Sequence, residues 1–112
     1  MKRKHVDDVK VEAVSMDGAV GVGMGILLGP NEEAPNFVMR RFVIQRGGRT
    51  PYHSHDWEHE IYVVSGTGEA RQGEETHVMN PGTVILAAPG EMHNFTNTSE
   101  GPLEFLCIVP RK

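Results

Sequence analysis

The sequence predicts an all-β domain built as a sandwich or barrel. Short apolar or alternating runs recur along the chain, with turn-forming residues between them. The 13 glycines and 7 prolines are spread along the 112 residues and favour many turns. No window of about a dozen residues has the apolar periodicity of an amphipathic helix. Roughly ten short strands in one domain are typical of a sandwich or barrel.

Turn signals bound each strand predicted in the first half of the chain. Asp17-Gly18 is a hairpin-type dipeptide that follows an alternating run. Gly29-Pro30 ends a run that contains Gly21-Val22-Gly23-Met24-Gly25, and no strand-to-helix context follows those glycines, so they do not predict a nucleotide loop. Gly47-Gly48 ends a run rich in β-branched and aromatic residues. The strands predicted here are residues 9–14, 20–28 and 37–45.

The second half of the chain has shorter runs at closer spacing. The strands predicted here are residues 60–65, 67–71, 76–79, 83–88, 95–98 and 103–109. The turn signals between and after them are Gly66, Gln72-Gly73-Glu74, Asn80-Pro81-Gly82, Pro89-Gly90, Gly101-Pro102 and Pro110. This spacing is typical of short strands joined by tight turns.

Composition limits the classes of function. A chain of 112 residues is one domain, and a net charge of −4 argues against nucleic acid or an anionic membrane as the main partner. No apolar run approaches the roughly 20 residues of a membrane span, and no apolar segment after Met1 predicts a secretory signal. The single cysteine, Cys107, excludes an intramolecular disulfide and fits a reducing cytoplasm.

A cluster of histidines predicts a metal site. Three of the six histidines, His53, His55 and His59, lie close together, and His93 follows between two later strands. On a strand, residues 53 and 55 would point to the same side, and residue 59 shares their parity. Neutral imidazole is the commonest protein ligand for first-row transition metals.

Residues 47–66 resemble the first sequence motif of the cupin family, G(X)5HXH(X)3,4E(X)6G. The first glycine, both histidines and the last glycine are filled at the expected spacing by Gly47, His53, His55 and Gly66. His59 stands in the glutamate position, whereas Glu60 would fit the longer variant but leave only five residues before the last glycine. The six-residue spacing and the odd parity therefore favour His59.

Residues 82–97 resemble the second cupin motif, G(X)5PXG(X)2H(X)3N. The glycines, the histidine and the asparagine of that motif are matched by Gly82, Gly90, His93 and Asn97. The proline is displaced by one position, from residue 88 to Pro89. The fifteen residues that separate the two motifs are typical of compact microbial cupins.

The resemblance implies a single jelly-roll barrel over residues 1–112 with a metal in its cavity. It implies a divalent transition metal held by His53, His55, His59 and His93, with manganese favoured and iron, zinc or nickel as alternatives. An octahedral metal would keep one or two positions open for a small molecule. A tetrahedral zinc would be closed by four protein ligands and would be structural.

Arg40 is a candidate catalytic residue. If Val38, Arg40, Phe42 and Ile44 form the inward face of their strand, the guanidinium would neutralise a substrate carboxylate or enolate. The opposite register would place Arg40 outside and Arg41 in the inward set, and the sequence does not choose between these registers.

The last predicted strand places Cys107 inside the barrel. Its inward set is Leu103, Phe105, Cys107 and Val109. Cys107 is a tentative catalytic residue or fifth ligand, although most buried cysteines are inert core residues. Phe95 and Phe105 are expected to wall a substrate pocket, and Trp57 to shape its mouth, although barrel core is an equally ordinary place for aromatic residues.

These observations predict a small metal-dependent cupin, possibly a dioxygenase-like enzyme acting on a small organic molecule. The alternatives are a non-catalytic ligand-binding or sensory cupin and a structural metal barrel, because cupins share a fold and differ in activity. A homodimer is expected, because the strand predicted at residues 9–14 would otherwise be an exposed edge on a small barrel.

Overall fold

The computed structural model describes residues 1–111 and has the all-β jelly-roll architecture that the sequence predicts. Two 3₁₀ turns, Val6–Asp8 and Pro30–Glu32, are the helical segments of the described residues, and no helix there is long and apolar enough to span a bilayer. One antiparallel sheet contains nine strands: β1 (Glu12–Ala13), β2 (Val20–Leu28), β3 (Phe37–Arg49), β4 (His59–Ser65), β5 (Gly68–Gln72), β6 (Glu75–Met79), β7 (Val84–Ala87), β8 (Asn94–Asn97) and β9 (Leu103–Pro110).

Strand β3 is the centre of the sheet. It pairs with β2 along one edge, with β9 from Phe37 to Ile44 on the other edge, and with β8 at Arg49. The order of the hydrogen-bonded strands along the sheet is β6, β5, β8, β3, β9, β4 and β7. Strand β3 therefore connects the two parts of the sheet. The curled sheet encloses the side chains that point inward.

The end of β3 differs from the prediction. The sequence predicts that the strand ends before Gly47-Gly48, whereas β3 continues to Arg49. Gly47 has a φ of +76°, and a Cβ at Gly48 would collide with the carbonyl oxygen of Val20. The two glycines bend the strand and bring it close to β2, because they have no side chain to oppose either change.

The N-terminal strand is also shorter than predicted, because β1 contains only two residues of the predicted 9–14. A Cβ at Gly23 would lie 2.5 Å from Val11 Cγ1, and a Cβ at Gly25 would lie 3.0 Å from the Lys10 carbonyl oxygen. The glycines of β2 therefore let the N-terminal chain lie directly against this strand. Regular pairing with β2 is confined to Glu12 and Ala13, with one further backbone bond from the N–H of Val14 to the carbonyl oxygen of Val22 at 2.9 Å.

Strands β4 and β9 alternate strictly between the two faces of the sheet. On β9, Leu103, Phe105, Cys107 and Val109 are buried, and on β4, Ile61 and Val63 are buried while Tyr62 and Val64 are exposed. Period-two alternation of side chains produces this pattern once one face is enclosed. The buried set forms one apolar core that continues to the cavity.

We predict that Gly66→Ala destabilises the fold more than Gly82→Ala. Both glycines have positive φ, +82° and +91°, so each alanine carries about 1–2 kcal/mol of backbone strain. At Gly66 the new Cβ would also collide with the backbone of Pro102 and Leu103, whereas nothing lies within 4 Å at Gly82. Urea unfolding of both variants measures the difference, and equal losses of stability would contradict the close packing at Gly66.

Candidate metal centre

Backbone hydrogen bonds join the two histidine-bearing segments. The N–H of His53 donates to the carbonyl oxygen of His93 at 3.1 Å, and the N–H of His93 donates to that of His53 at 2.9 Å. The N–H of Gly90 donates to the carbonyl oxygen of His55 at 2.6 Å. The segment between β3 and β4 is thereby held against the turn before β8, and residues far apart in sequence become neighbours.

His53 and His55 lie largely outside regular strands, whereas the shared direction of their side chains was inferred from strand parity. His53 forms one isolated bridge with His93, and His55 lies in irregular chain before β4. Pro51 contributes to the irregular conformation of this segment, because it has no N–H to donate to a neighbouring strand. The two side chains still face the same cavity, because the bridge to His93 and the bond from Gly90 orient the loop.

Three histidines form the compact part of the centre. Ligand nitrogens of His53, His55 and His93 lie within 4.8 Å of one another. Their ring centroids are 4.3 Å apart for His53 and His55 and 5.7 Å apart for His53 and His93. This spacing would allow one metal ion to contact all three rings.

His59 adjoins this cluster at the start of β4. Its ring centroid lies 4.9 Å from that of His55 and 5.2 Å from that of His93, and the residue is only 7% exposed. Its Nε2 is buried and has no hydrogen-bond partner. Glu60, the alternative occupant of the glutamate position, is exposed on the opposite face of the strand.

Burial favours the neutral form of His53, His55 and His59. Desolvation, and then the neighbouring positive groups, lowers the pKa of His53 and of His55. For His59, desolvation and then the Arg40 guanidinium lower the pKa to about 3. Nδ1 of His93 lies 2.9 Å from the carbonyl oxygen of Glu91, so Nδ1 carries the proton and Nε2 is free. Neutral rings with a bare nitrogen are the form that binds metal.

Arg40, Cys107 and His59 form a polar network beside the cluster. Arg40 Nη2 donates to Cys107 Sγ at 3.1 Å, and His59 Nδ1 lies 3.1 Å from the same sulfur. The Arg40 guanidinium also lies over the Phe42 ring, 5.0 Å from its centroid. Burial raises the pKa of the Cys107 thiol, and Arg40 partly opposes this rise. Arg40 is therefore on the inward face of β3, which is the first of the two registers considered above.

The histidines open into a cavity of about 440 Å³. Phe95 and Phe105 form part of its wall, edge to face at 5.4 Å, and Trp57 stacks on His55 with ring centroids 4.5 Å apart. Phe42, which belongs to the inward set considered for β3, also lines the cavity. Several other lining residues were not predicted from the sequence, namely Val14, Met16, Val22, Met24, Thr50 and Pro51. Parity on β2 could have identified Val22 and Met24, whose neighbours on the strand are glycines.

The comparisons with known proteins agree with this geometry. A cupin domain family model matches residues 40–109. The polyketide cyclase RemF from Streptomyces resistomycificus is similar over 100% of this chain and 80% of its own, with 35% identity and a TM-score of 0.94.

Two further solved structures are similar to most of this chain. A predicted oxalate decarboxylase from Thermotoga maritima has 27% identity and a TM-score of 0.83, with coverage of 96% of this chain and 97% of its own. A cupin 2 domain-containing protein from Halorhodospira halophila has 30% identity and a TM-score of 0.76, with coverage of 89% and 69%. No curated protein matches the chain. The family match and the full-length similarity to RemF show that this chain belongs to the cupin domain family.

Proposed function

We propose that this protein is a metal-dependent cupin enzyme that closes a ring in an apolar, oxygen-rich small molecule of the polyketide type. The observation that carries the proposal is the opening of a neutral histidine cluster into an apolar cavity with one cationic side chain, Arg40. The full-length similarity to a polyketide cyclase supports the choice of reaction and substrate class.

The residues of the site fit a divalent transition metal. His53, His55 and His93 would supply three nitrogens, and the unpartnered buried Nε2 of His59 would supply the fourth. An unpartnered polar atom of this kind is costly unless a ligand satisfies it. Imidazole donors suit manganese, iron, nickel and zinc, and the resemblance to four-histidine cupins favours manganese. When bound, such a metal supplies Lewis-acid polarisation of a carbonyl or enol oxygen.

The volume of the cavity and the side chains that line it determine which small molecules it can hold. A volume of about 440 Å³ is within the usual range for pockets that hold small molecules. Phe42, Phe95 and Phe105 present ring surfaces that would contact flat aromatic or enolic groups and exclude water. Met16 and Met24 add flexible apolar surface, which adapts to the outline of a ligand.

Arg40 determines the charge that the cavity prefers. Its guanidinium lines the cavity beside the histidines, and no carboxylate of the described residues lines the same space. A fixed positive charge in an apolar cavity stabilises a phenolate or enolate more strongly than it would in water. In ring closure, an enolate carbon attacks a carbonyl carbon, and the carbonyl π electrons move to oxygen to give an alkoxide, so the enolate and the alkoxide both carry anionic oxygen of this kind. The alkoxide then takes up a proton, and loss of this hydroxyl with a proton from the neighbouring carbon releases water and leaves a double bond.

A dioxygenase-like reaction and non-catalytic binding are the other outcomes that the site allows. Both use the same ligand set and cavity, so the geometry does not separate them from cyclisation. The similarity to RemF favours cyclisation, and the reaction product distinguishes all three. A structural zinc barrel is disfavoured by the size of the cavity beside the histidines.

Metal content tests the ligand assignment. We expect about one divalent metal per chain in wild-type protein, and loss of that metal in the His55→Ala/His93→Ala double variant. His59→Ala should weaken metal binding by more than about 10-fold if Nε2 is a ligand, because one donor is lost. His77→Ala is the matched control, since His77 is exposed on β6. Elemental analysis and chelator competition measure these effects, and equal metal content in all four proteins would refute the site.

Product analysis tests the reaction. We expect protein loaded with manganese, iron, nickel or zinc to convert an aromatic β-polyketone mimic into a cyclised product that has lost water. His55→Ala should abolish this conversion, and His77→Ala should retain it. A product that has gained the mass of dioxygen, with oxygen consumption, would instead support a dioxygenase. Tight binding of the mimic without turnover under any of these metals would support a binding module.

We further propose that the protein is a homodimer. Strand β1 pairs only with β2 among the described residues, so its other edge is open. The outer face of β4 and β7 also exposes apolar side chains, with Tyr62 50%, Val84 71% and Leu86 63% exposed. Tyr62 pairs directly with Val84, so these side chains form one patch. A second copy would cover both the edge and the patch.

Sedimentation at micromolar concentration tests the dimer. We expect twice the monomer mass for wild-type protein and the monomer mass for Leu86→Glu, because the new charge would be buried in the interface. Val78→Glu is the matched control, since Val78 is 61% exposed on β6 at the other end of the sheet. A monomeric wild type would exclude the dimer. A dimeric Leu86→Glu protein would indicate that the interface lies at the edge of β1 instead of at the patch on β4 and β7.

A further inference from the structure

We propose that Cys107 is a positioning residue that fixes the tautomer of His59. Its sulfur accepts the Nδ1 proton of His59, which leaves Nε2 bare and directed to the metal centre. Arg40 donates to the same sulfur and holds it in place. The inference rests on the proposed role of His59 as a metal ligand, and it adds a function for a thiol that the proposed reaction does not use.

The sheet register places the three residues together. Cys107 on β9 is directly opposite Arg40 on β3 and opposite Ile61 on β4. His59 lies two residues before Ile61, on the same inward face. Sγ, Nη2 and Nδ1 form a triangle with sides of 3.1, 3.1 and 3.3 Å. These positions are set by backbone pairing, so the triangle does not depend on a flexible loop.

Donor and acceptor chemistry allows two networks in this triangle. An arginine guanidinium only donates hydrogen bonds, and a neutral imidazole has one donor nitrogen and one acceptor nitrogen. In the first network, Nδ1 accepts a hydrogen bond from Arg40 or from the S–H of Cys107, so the proton is on Nε2. That proton would be buried without an acceptor, because Nε2 has no partner. A buried donor without an acceptor is unfavourable.

In the second network, Nδ1 carries the proton and donates it to Cys107 Sγ. Arg40 Nη2 donates to the same sulfur, so both donors are satisfied. Nε2 then carries a lone pair at the cavity wall, where the other three histidines lie. The second network therefore gives the Nδ1 and Nη2 donors an acceptor and leaves Nε2 available to a metal. An outer partner that fixes a ligand histidine in this way is a common feature of metal sites.

Direct ligation by Cys107 is the competing interpretation. Among the described residues, the group of ligand atoms within 4.8 Å of one another consists of His53, His55 and His93, so it includes neither the sulfur nor His59. The hydrogen-bond partners distinguish the two groups, because the buried Nε2 of His59 has none. The sulfur is 2% exposed and already faces two nitrogen donors. The geometry therefore favours a role that acts through His59 over a bond to the metal.

Nuclear magnetic resonance of the histidine side chains reads the tautomer directly. We expect long-range proton–nitrogen correlations of metal-free wild-type protein at neutral pH to show a proton on Nδ1 of His59. The signals of this ring are assigned by their loss in His59→Gln. In Cys107→Ala, Arg40 is the remaining neighbour of Nδ1 and can only donate to it, so the proton should move to Nε2. Cys107→Ser retains an acceptor and should keep the wild-type tautomer.

Metal affinity supplies a second readout that does not depend on turnover. Cys107→Ala should weaken manganese binding by about 10- to 100-fold, the usual effect of losing an outer partner of a ligand histidine. Cys107→Ser should recover most of this loss. Val109→Ala is the matched control, because Val109 is the next inward residue of β9 and also belongs to the core. Its affinity should remain at the wild-type level even if its stability falls.

Three results would overturn the inference. The first is a proton on Nε2 of His59 in wild-type protein, which requires no variant to fold. The second is unchanged tautomer and affinity in Cys107→Ala. The third is a sulfur-to-metal charge-transfer band in cobalt-loaded protein that disappears in Cys107→Ser, since this would make Cys107 a ligand. Absence of metal binding by wild-type protein would refute the proposed function, and the tautomer would still decide the role of Cys107.

Discussion

The bend of β3 at Gly47-Gly48 is the constraint on which the rest of the structure depends. Before the bend, β3 pairs with β2 and β9, and after it the strand reaches β8. A side chain at Gly48 would collide with the backbone of β2, so the approach of these strands requires glycine. The bend closes the barrel and directs the chain toward the histidine segment. Gly47, the first glycine of the first cupin motif, has a φ of +76°, which favours glycine for a reason that is independent of the metal.

The reciprocal backbone bonds of His53 and His93 connect the fold to its chemistry. They hold two loops, which would otherwise be mobile, at the distance at which imidazole rings share one ligand. Burial in the same place lowers the pKa of His53, His55 and His59. A cluster of charged histidines would repel itself, whereas neutral rings with bare nitrogens are ready for a metal cation. The fold thus prepares the donors before any ligand binds.

The cavity combines apolar walls with a small number of oriented polar atoms. Phe42 lies under the Arg40 guanidinium, and Phe95 and Phe105 continue the wall from the histidines into the core. In such surroundings a buried polar atom without a partner is costly, and the Arg40–Cys107–His59 triangle supplies partners for two nitrogens and a sulfur. Electrostatic effects are strong here because water is excluded. The site is therefore suited to oxygen anions on an apolar molecule.

The sequence by itself determined the local features of this protein. Alternation identified the inward face of β9, and glycine and proline marked most strand ends, because side-chain period and turn geometry are properties of the local backbone. The spacing of the histidines indicated a metal site, and the two motifs indicated the cupin family. These signals need no knowledge of which strands pair.

Only the tertiary structure decided the features that depend on contacts between distant segments. It extended β3 through two glycines that resemble a turn, and it placed residues 9–11 against the glycines of β2, because both results depend on how closely neighbouring strands approach. It placed Met16 at the cavity and Arg40 beside Cys107. Strand register joins residues that are far apart in sequence, and a local pattern does not encode it. The partner of each His59 nitrogen was decided in the same way.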